Sequence, residues 1–162
     1  MSDMLKFPQD DPDFNVALSM SLVLFGFDGN QLQLLLARSQ RAPYEGALLL
    51  PSRYLEAQDE LALSARSMFH GLFGYDDPEI IEQLKAFGGV FRHPMGRVVN
   101  VAFYALVRKE DFLAEKWESH GMQWVPIDRV PDLAFDHNEV VAYARERLKR
   151  RVKRRPLGFH LL

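Results

Sequence analysis

The chain has 162 residues, 48% of them hydrophobic, which suits one domain with a sizeable core. It contains no cysteine, which excludes disulfides, thiol catalysis and thiolate metal sites and favours a reducing cytoplasm. No apolar run is long enough to span a bilayer and the N-terminus lacks signal-peptide features, so no membrane partner is expected. The net charge of −2 conceals an asymmetry, because residues 145–155 hold eight basic side chains and one acidic one.

The N-terminal part of the sequence predicts an arm followed by a β-hairpin. Residues 1–13 are polar and are expected to form a flexible arm. Val16–Phe25 and Gln31–Arg38 are apolar runs, separated by a turn that contains Asp28 and Gly29. Asp-Gly between apolar runs favours a hairpin, because both residues tolerate positive φ.

A short strand and an amphipathic helix follow. Ala47–Leu50 is predicted to be a buried strand that ends at Pro51, and Gln58–Phe73 to be a helix that ends at Gly74. The helix carries an apolar stripe at helical spacing. Its members are Leu61, Ala65, Met68, Phe69 and Leu72.

The second half predicts two longer strands. Ile80–Arg92 is extended, with a bulge or kink expected at Gly88 and Gly89. Arg97–Val107 has the composition of a central strand. A short helix around Glu110–Lys116 follows.

A further strand and a long final helix complete the pattern. The strand is predicted at Gly121–Val125, and the helix begins at Asp136, which with Glu139 has the spacing of a capping box. Its buried stripe is predicted to contain Val140, Val141, Ala144, Leu148 and Val152. This mixture of strands and helices predicts an α+β sandwich with a mixed sheet between helices.

The segment Leu48–Tyr75 reads LLLPSRYLEAQDELALSARSMFHGLFGY. It resembles the Nudix box, G-x5-E-x7-R-E-U-x-E-E-x-G-U, without a gap. Arg53 falls on the first Gly and Asp59 on the first Glu. The remaining Glu positions fall on Met68, Gly71 and Leu72, which offer no side-chain oxygen to the divalent cation of a Nudix hydrolase. The resemblance implies a Nudix fold, an α/β/α sandwich, that binds a ligand without hydrolysing it, with no metal and no catalytic residues.

Three other segments are similar to the Nudix-like domain of NrtR-type transcriptional regulators and their ADP-ribose pyrophosphatase relatives. They are FRHPMGRVVNVAF from Phe91, WVP from Trp124 with AFDH from Ala134, and RPLGFHLL from Arg155. In the family the last segment closes the Nudix domain and leads into a winged helix–turn–helix. The resemblance therefore implies a Nudix-like domain over 14–155, with a linker-like tail at 156–162. It also implies an effector domain of a bacterial regulator, dimeric, that binds ADP-ribose or a related NAD metabolite or nucleotide-sugar diphosphate.

The candidate ligand-binding residues are cations and a histidine. Arginine donates two parallel hydrogen bonds to phosphate oxygens, and an arginine at position 53 could replace the charge of a lost Mg²⁺. Histidine has both protonation states near neutral pH and could bind a ribose or phosphate. The predicted ligand-binding set is Arg38, Arg53, Arg92, His93 and Arg97. The aromatic candidates for stacking a nucleobase are Phe14, Tyr44 and Phe91.

The basic run of the final helix attracts phosphate backbones irrespective of sequence. It is predicted to support DNA binding, alongside a C-terminal domain. The residues concerned are Lys149, Arg150, Arg151, Lys153, Arg154 and Arg155.

Two alternatives stay open at the level of sequence. The first is a divergent Nudix hydrolase in which relocated carboxylates hold Mg²⁺; the candidates are Glu56, Asp59, Glu60 and Glu82. The second is a dimerisation module whose ligand pocket is filled by Met68 and Leu72.

Overall fold

The computed structural model describes residues 12–77 and 80–154, in which one mixed β-sheet lies between helices. The strands in these ranges are β1 (Ala17–Phe27), β2 (Leu32–Arg38), β3 (Leu48–Leu49), β4 (Ser52–Tyr54), β5 (Glu82–Phe87), β6 (Val98–Arg108) and β7 (Gln123–Pro126). The α-helices are α1 (Leu61–Phe73), α2 (Ala114–Trp117) and α3 (His137–Arg154). Short 3-10 turns occupy Pro12–Phe14, Lys109–Asp111, Glu118–His120 and Ile127–Arg129.

Strand β1 is the centre of the sheet. It pairs in parallel with β6 along its whole length, from Ala17 opposite Val98 to Phe27 opposite Arg108. It also pairs antiparallel with β2 and with β4. The strand order is β3-β2-β1-β6-β5, with β7 paired to β2. Helices cover both faces of β1, which explains why its sequence is apolar almost without alternation.

The two faces of the sheet form two apolar cores. One packs against α1 through Ala65, Phe69, Leu72 and Phe73. The other packs against α3 through Val140, Val141, Ala144 and Leu148. This layering of helix, mixed sheet and helix confirms the predicted α+β sandwich.

Helix α1 begins later than the sequence predicts, and its beginning and end have clear chemical causes. Glu60 is the N-cap, and its carboxylate accepts hydrogen bonds from the backbone N–H groups of Ala62 and Leu63. Gly74 ends the helix at φ 78°, a left-handed conformation that glycine adopts without strain. The Gly74 stop was predicted, whereas the start at Gln58 was wrong, because residues 58–60 precede the first helical residue and Glu60 is the cap.

Three other expectations differ from the structure. Strand β4 was not predicted, because three residues after a proline show no alternation. The irregularity of β5 lies between Gln83 and Ala86 and not at Gly88 and Gly89, which belong to the loop that follows the strand. Val152 is 46% exposed and does not extend the buried stripe of α3.

The ends of the chain lie largely outside the described residues. Only the last two residues of the predicted arm at 1–13 are described, and the predicted tail at 156–162 is not. None of the helices in the described part of the chain has the length and apolar character of a membrane-spanning helix.

Candidate functional site

A cleft of about 770 Å³ opens beside the N-terminal half of β1. Its walls come from the loop between β2 and β3, β4, α1, the 88–97 loop, the segment after α2 and the start of α3. Its described lining includes four arginines and three histidines and no carboxylate: Arg38, Arg41, Arg53, Arg92, His93, His120 and His137. A cleft lined by charges of one sign concentrates ligands of the opposite sign. The lining therefore suits an anion.

Arg38 and Arg41 supply charge that no carboxylate neutralises in the described parts of the chain. Arg38 donates from Nη1 to the backbone oxygen of Gly46 and its stem packs on Gly121. A side chain at Gly121 would place a Cβ 2.9 Å from the Arg38 Cβ, so glycine lets this arginine lie flat. Arg41 lies on the loop that follows β2 and was not predicted from the sequence.

Arg53 lines the cleft from β4, at the predicted position. Its Nη2 lies 2.7 Å from Oδ2 of Asp59, and its side chain is 40% exposed. The same Asp59 oxygen accepts from the backbone N–H of Glu56. Asp59 thus orients the guanidinium and leaves part of it facing solvent and the cleft.

Arg92 is a wall of the cleft held by a buried ion pair. Its Nε and Nη2 donate to the two carboxylate oxygens of Asp136 at 2.9 and 2.7 Å. The side chains are only 5% and 15% exposed. The predicted capping role of the Asp136 side chain is wrong, because the carboxylate accepts this bidentate pair; its backbone oxygen receives the first bonds of α3, from Glu139 and Val140.

His93 joins two sides of the cleft. Met95 donates its backbone N–H to Nδ1 of His93, so the neutral ring carries its proton on Nε2, which lies 2.7 Å from the Tyr54 hydroxyl. Burial, with a contribution from the Arg92 charge, lowers the pKa of His93. The ring stacks on Phe135 at 4.9 Å, and Phe135 in turn meets Tyr44 edge-on at 4.6 Å.

Phe135 is held in an unusual backbone conformation. Its φ is 56°, the left-handed region that bulky side chains rarely adopt. The conformation turns the ring into the cleft beside His93, immediately before α3 begins. Such strain is often retained where it places a functional group.

His137 forms the buried back of the cleft. Its Nδ1 accepts the backbone N–H of Leu50 at 3.1 Å, and only 3% of the residue is exposed. Burial lowers the pKa of His137 to about 4, with Asp136 opposing the shift and Arg92 adding to it. Near the same wall Asn100 bonds to Ser19 and Ser21, which gives the cleft a polar floor.

The end of the cleft beside α1 is apolar. Met68, Leu72, Trp117 and Met122 line it, together with His120. The Trp117 indole N–H donates to the backbone oxygen of Gly71 at 2.8 Å. The indole therefore lies against the surface of α1 on which a Nudix hydrolase carries its metal-binding carboxylates.

These residues do not fit the divalent cation of a Nudix hydrolase. Asp59 is bound to Arg53, and the carboxylate of Glu60 caps α1. Glu82 lies outside the cleft lining, where it binds Arg147 and Arg151. Across residues 12–77 and 80–154, no three His, Asp or Glu side chains are grouped as a metal site would require.

Other predicted site residues lie elsewhere. Arg97 is not in the cleft lining; its Nη1 donates to the backbone oxygens of Gly88 and Gly89 and so holds the 88–97 loop. The three aromatic candidates for stacking are also absent from the lining: Phe14, Tyr44 and Phe91. Tyr44 supports Phe135 from behind, and Phe91 is 93% exposed.

The basic residues of α3 lie outside the cleft. Lys149 pairs with Glu146 at 3.0 Å and Arg151 with Glu82 at 2.7 Å. Arg150 and Arg154 line a separate pocket of about 470 Å³, Lys153 is exposed and Arg155 lies outside the described residues.

No protein-family model matches the sequence. Over 149 residues the chain is 28% identical to the ADPR responsive transcriptional repressor NtrR of Acinetobacter baylyi, a match that covers 90% of this chain. The chain spans 59% of the length of that curated relative.

Among solved structures, NrtR of Shewanella oneidensis superposes with a TM-score of 0.74 at 27% identity, over 84% of this chain and 65% of that chain. The same protein has also been solved with a 27mer DNA. The NUDIX domain of S. oneidensis NrtR complexed with ADP ribose gives a TM-score of 0.69 at 26% identity, over 85% of this chain and 93% of that chain.

The buried pair of Arg92 and Asp136 gives a stability prediction. Asp136→Asn removes the counter-charge of an almost fully buried guanidinium and should lower the free energy of unfolding by about 3 kcal/mol. Urea unfolding measures it. The control is Asp128→Asn, which breaks the exposed pair with Arg145 and should change stability little. Equal effects of the two variants would contradict a buried role for Asp136.

His137 gives a pH prediction. Because its folded pKa of about 4 lies below its ordinary 6.5, the unfolded state binds more protons between these values. Stability should therefore be lost as the pH falls from 6.5 to 4, by up to about 3 kcal/mol from this group. His137→Asn should flatten the decline, whereas the exposed control His70→Asn should keep it. Parallel pH profiles for the wild type and His137→Asn would exclude this residue as the cause.

Proposed function

The chain has the Nudix fold and is similar in sequence to the A. baylyi repressor NtrR and in structure to S. oneidensis NrtR. On this premise we propose that it is the effector domain of a bacterial transcriptional regulator. The ligand we propose is ADP-ribose or a related nucleotide-sugar diphosphate, bound without hydrolysis. The proposal depends on one observation above all: the cleft is lined by arginines and contains no carboxylate among its described lining residues.

In this proposal the arginines take the place of a metal ion. A diphosphate needs positive charge and directed donors, which guanidinium groups provide without a cation. Arg38 and Arg41 bring unneutralised charge, and Arg53 adds a partly exposed fork oriented by Asp59. Arg92 acts on the ligand mainly through its position in the wall, because Asp136 occupies two of its donors.

Regulation would act through population shift. A ligand shifts an equilibrium only by its differential affinity for the two states. The two states we propose are dimer arrangements that set the spacing of attached DNA-binding modules. The name of the A. baylyi relative and the DNA-bound S. oneidensis structure support a role in DNA binding. The basic face of α3, with Arg150, Lys153 and Arg154, would add non-specific attraction to phosphates.

The hydrolase alternative has little support from the site, since the carboxylates it requires are bound elsewhere or lie outside the lining. The filled-pocket alternative is disfavoured by the open cleft of about 770 Å³, a volume typical of small-molecule sites.

Calorimetric titration of ADP-ribose tests the proposed function. Binding should be saturable and should have the same affinity in Mg²⁺ and in EDTA, because in this proposal arginines hold the diphosphate without a metal ion. ADP-ribose should be recovered intact from both samples by chromatography. Release of AMP in Mg²⁺ would establish a hydrolase, and absence of heat in both buffers would overturn the proposal.

Arg53→Gly puts the glycine of the Nudix box back at the position where this sequence has an arginine, and so tests whether that arginine binds the ligand. ADP-ribose affinity should fall roughly tenfold, the scale of one charged hydrogen-bonding contact to phosphate. Arg145→Ala removes an exposed arginine outside the cleft lining and is the matched control, with no change in affinity expected. Unchanged binding by Arg53→Gly would show that Arg53 is only a partly exposed strand side chain paired with Asp59.

A further inference from the structure

The cleft has an aromatic surface at each of two ends. At one end Tyr54, His93 and Phe135 form a connected group, with Tyr54 bonded to His93 and His93 stacked on Phe135. At the other end Trp117 and His120 meet edge-on at 4.8 Å. Within the described residues no ring contact joins the two groups.

The second aromatic end lies against α1 at a position that carries no side chain. Gly71 has no side chain, and a Cβ built on it would lie 3.6 Å from Cζ2 of Trp117. The indole therefore rests directly on the helix, fixed by the bond from its N–H to the Gly71 oxygen. Met68 and Met122 are only partly buried and line the cleft together with the indole, and Lys116 Nζ lies 5.7 Å from the centre of the indole ring. Part of this apolar surface therefore faces the cleft.

Positive charge lies beside both ends. Arg38 packs on Gly121, the residue that follows the turn bearing His120, and so stands beside the Trp117 end. Arg53 and Tyr54 are consecutive residues of β4, and both line the cleft. The cleft thus combines two separate groups of rings with arginines in its lining.

We infer that the cleft is built for a diphosphate that carries a ring system at each end, a dinucleotide-type ligand, and that the second ring lies on Trp117. This inference rests on the proposed function and narrows its ligand class. The polar-edged group of Tyr54, His93 and Phe135 suits the adenine, whose edge carries hydrogen-bonding atoms. A ligand that ended in a bare sugar would leave the Trp117 surface uncovered.

The energetic reason is burial of apolar surface together with ring stacking. An aromatic ring placed on Trp117 removes both surfaces from water and gains the favourable geometry of an aromatic pair. A sugar hydroxyl at the same place would lose water and meet Met68 and Met122, which return only weak hydrogen bonds. A ligand with the second ring should therefore bind roughly tenfold more tightly, the scale of one such pair.

NAD⁺ and ADP-ribose are the appropriate probes, because they share adenosine, diphosphate and second ribose and differ by the nicotinamide ring. Calorimetry on the wild type should give a dissociation constant for NAD⁺ about one tenth of that for ADP-ribose, the scale of one added aromatic pair. In Trp117→Ala this tenfold preference for NAD⁺ should be lost. Trp117→Phe, which keeps a ring, should retain most of the preference. Thermal melts of both variants check that the fold is kept. His120→Ala, an exposed change at the same end of the cleft, should weaken the preference for NAD⁺ in part.

The outcomes separate this inference from the proposed function. Equal affinity of the wild type for the two probes, or a Trp117→Ala variant that keeps the wild-type ratio, overturns the two-ring ligand and leaves ADP-ribose binding standing. Failure of both probes to bind overturns the proposed function and this inference together.

Discussion

The ion pair between Arg92 and Asp136 holds together two segments that come from distant parts of the sequence. Arg92 lies in the loop after β5, and Asp136 is the residue before α3. Both hydrogen bonds of the fork are made, so the guanidinium is fixed in direction as well as in position. The ion pair also positions the residues next to each partner in the sequence. These are His93 beside Arg92, and Phe135 and His137 beside Asp136. The pair therefore fixes the relation between these two walls of the cleft, together with the stacking of His93 on Phe135.

The arginines of the cleft fall into two kinds. Arg92 and Arg53 are paired with carboxylates that orient them, and their charge is largely balanced locally. Arg38 and Arg41 have no such partner in the described ranges, and Arg38 is steadied by a backbone oxygen and by packing on Gly121. A frame with two compensated and two uncompensated arginines suits reversible binding of an anion, since the free state is not left with the repulsion of four unpaired charges.

Periodicity in the sequence was sufficient for the layers of the fold. Continuous apolar runs predicted β1 and β6, and the spacing of Ala65, Phe69 and Leu72 predicted the buried face of α1. Local sequence patterns failed to predict the role of a side chain where a contact distant in sequence determines that role. Asp136 has the spacing of a capping residue, yet an arginine 44 positions away takes its carboxylate.

The site was only partly predictable for the same reason. Four of the five ligand-binding candidates line the cleft: Arg38, Arg53, Arg92 and His93. No local sequence pattern identifies Phe135 or Trp117 as site residues, because their roles depend on the rings and backbone atoms that the fold places beside them. The positive φ of Phe135 and the seat of Trp117 on Gly71 are properties of the folded chain alone.

The seat of Trp117 on Gly71 also bears on how such a domain changes over evolutionary time. A Cβ at position 71 would lie 3.6 Å from the indole, an ordinary van der Waals contact, so a small side chain fits there and a longer one must extend along the surface that Trp117 covers. A glutamate at this position would therefore share the surface of α1 with the indole, whose N–H is bonded to the Gly71 oxygen. A change to an acidic helix surface thus involves the segment that carries Trp117 as well as the residues of the box, and the two segments are expected to change together.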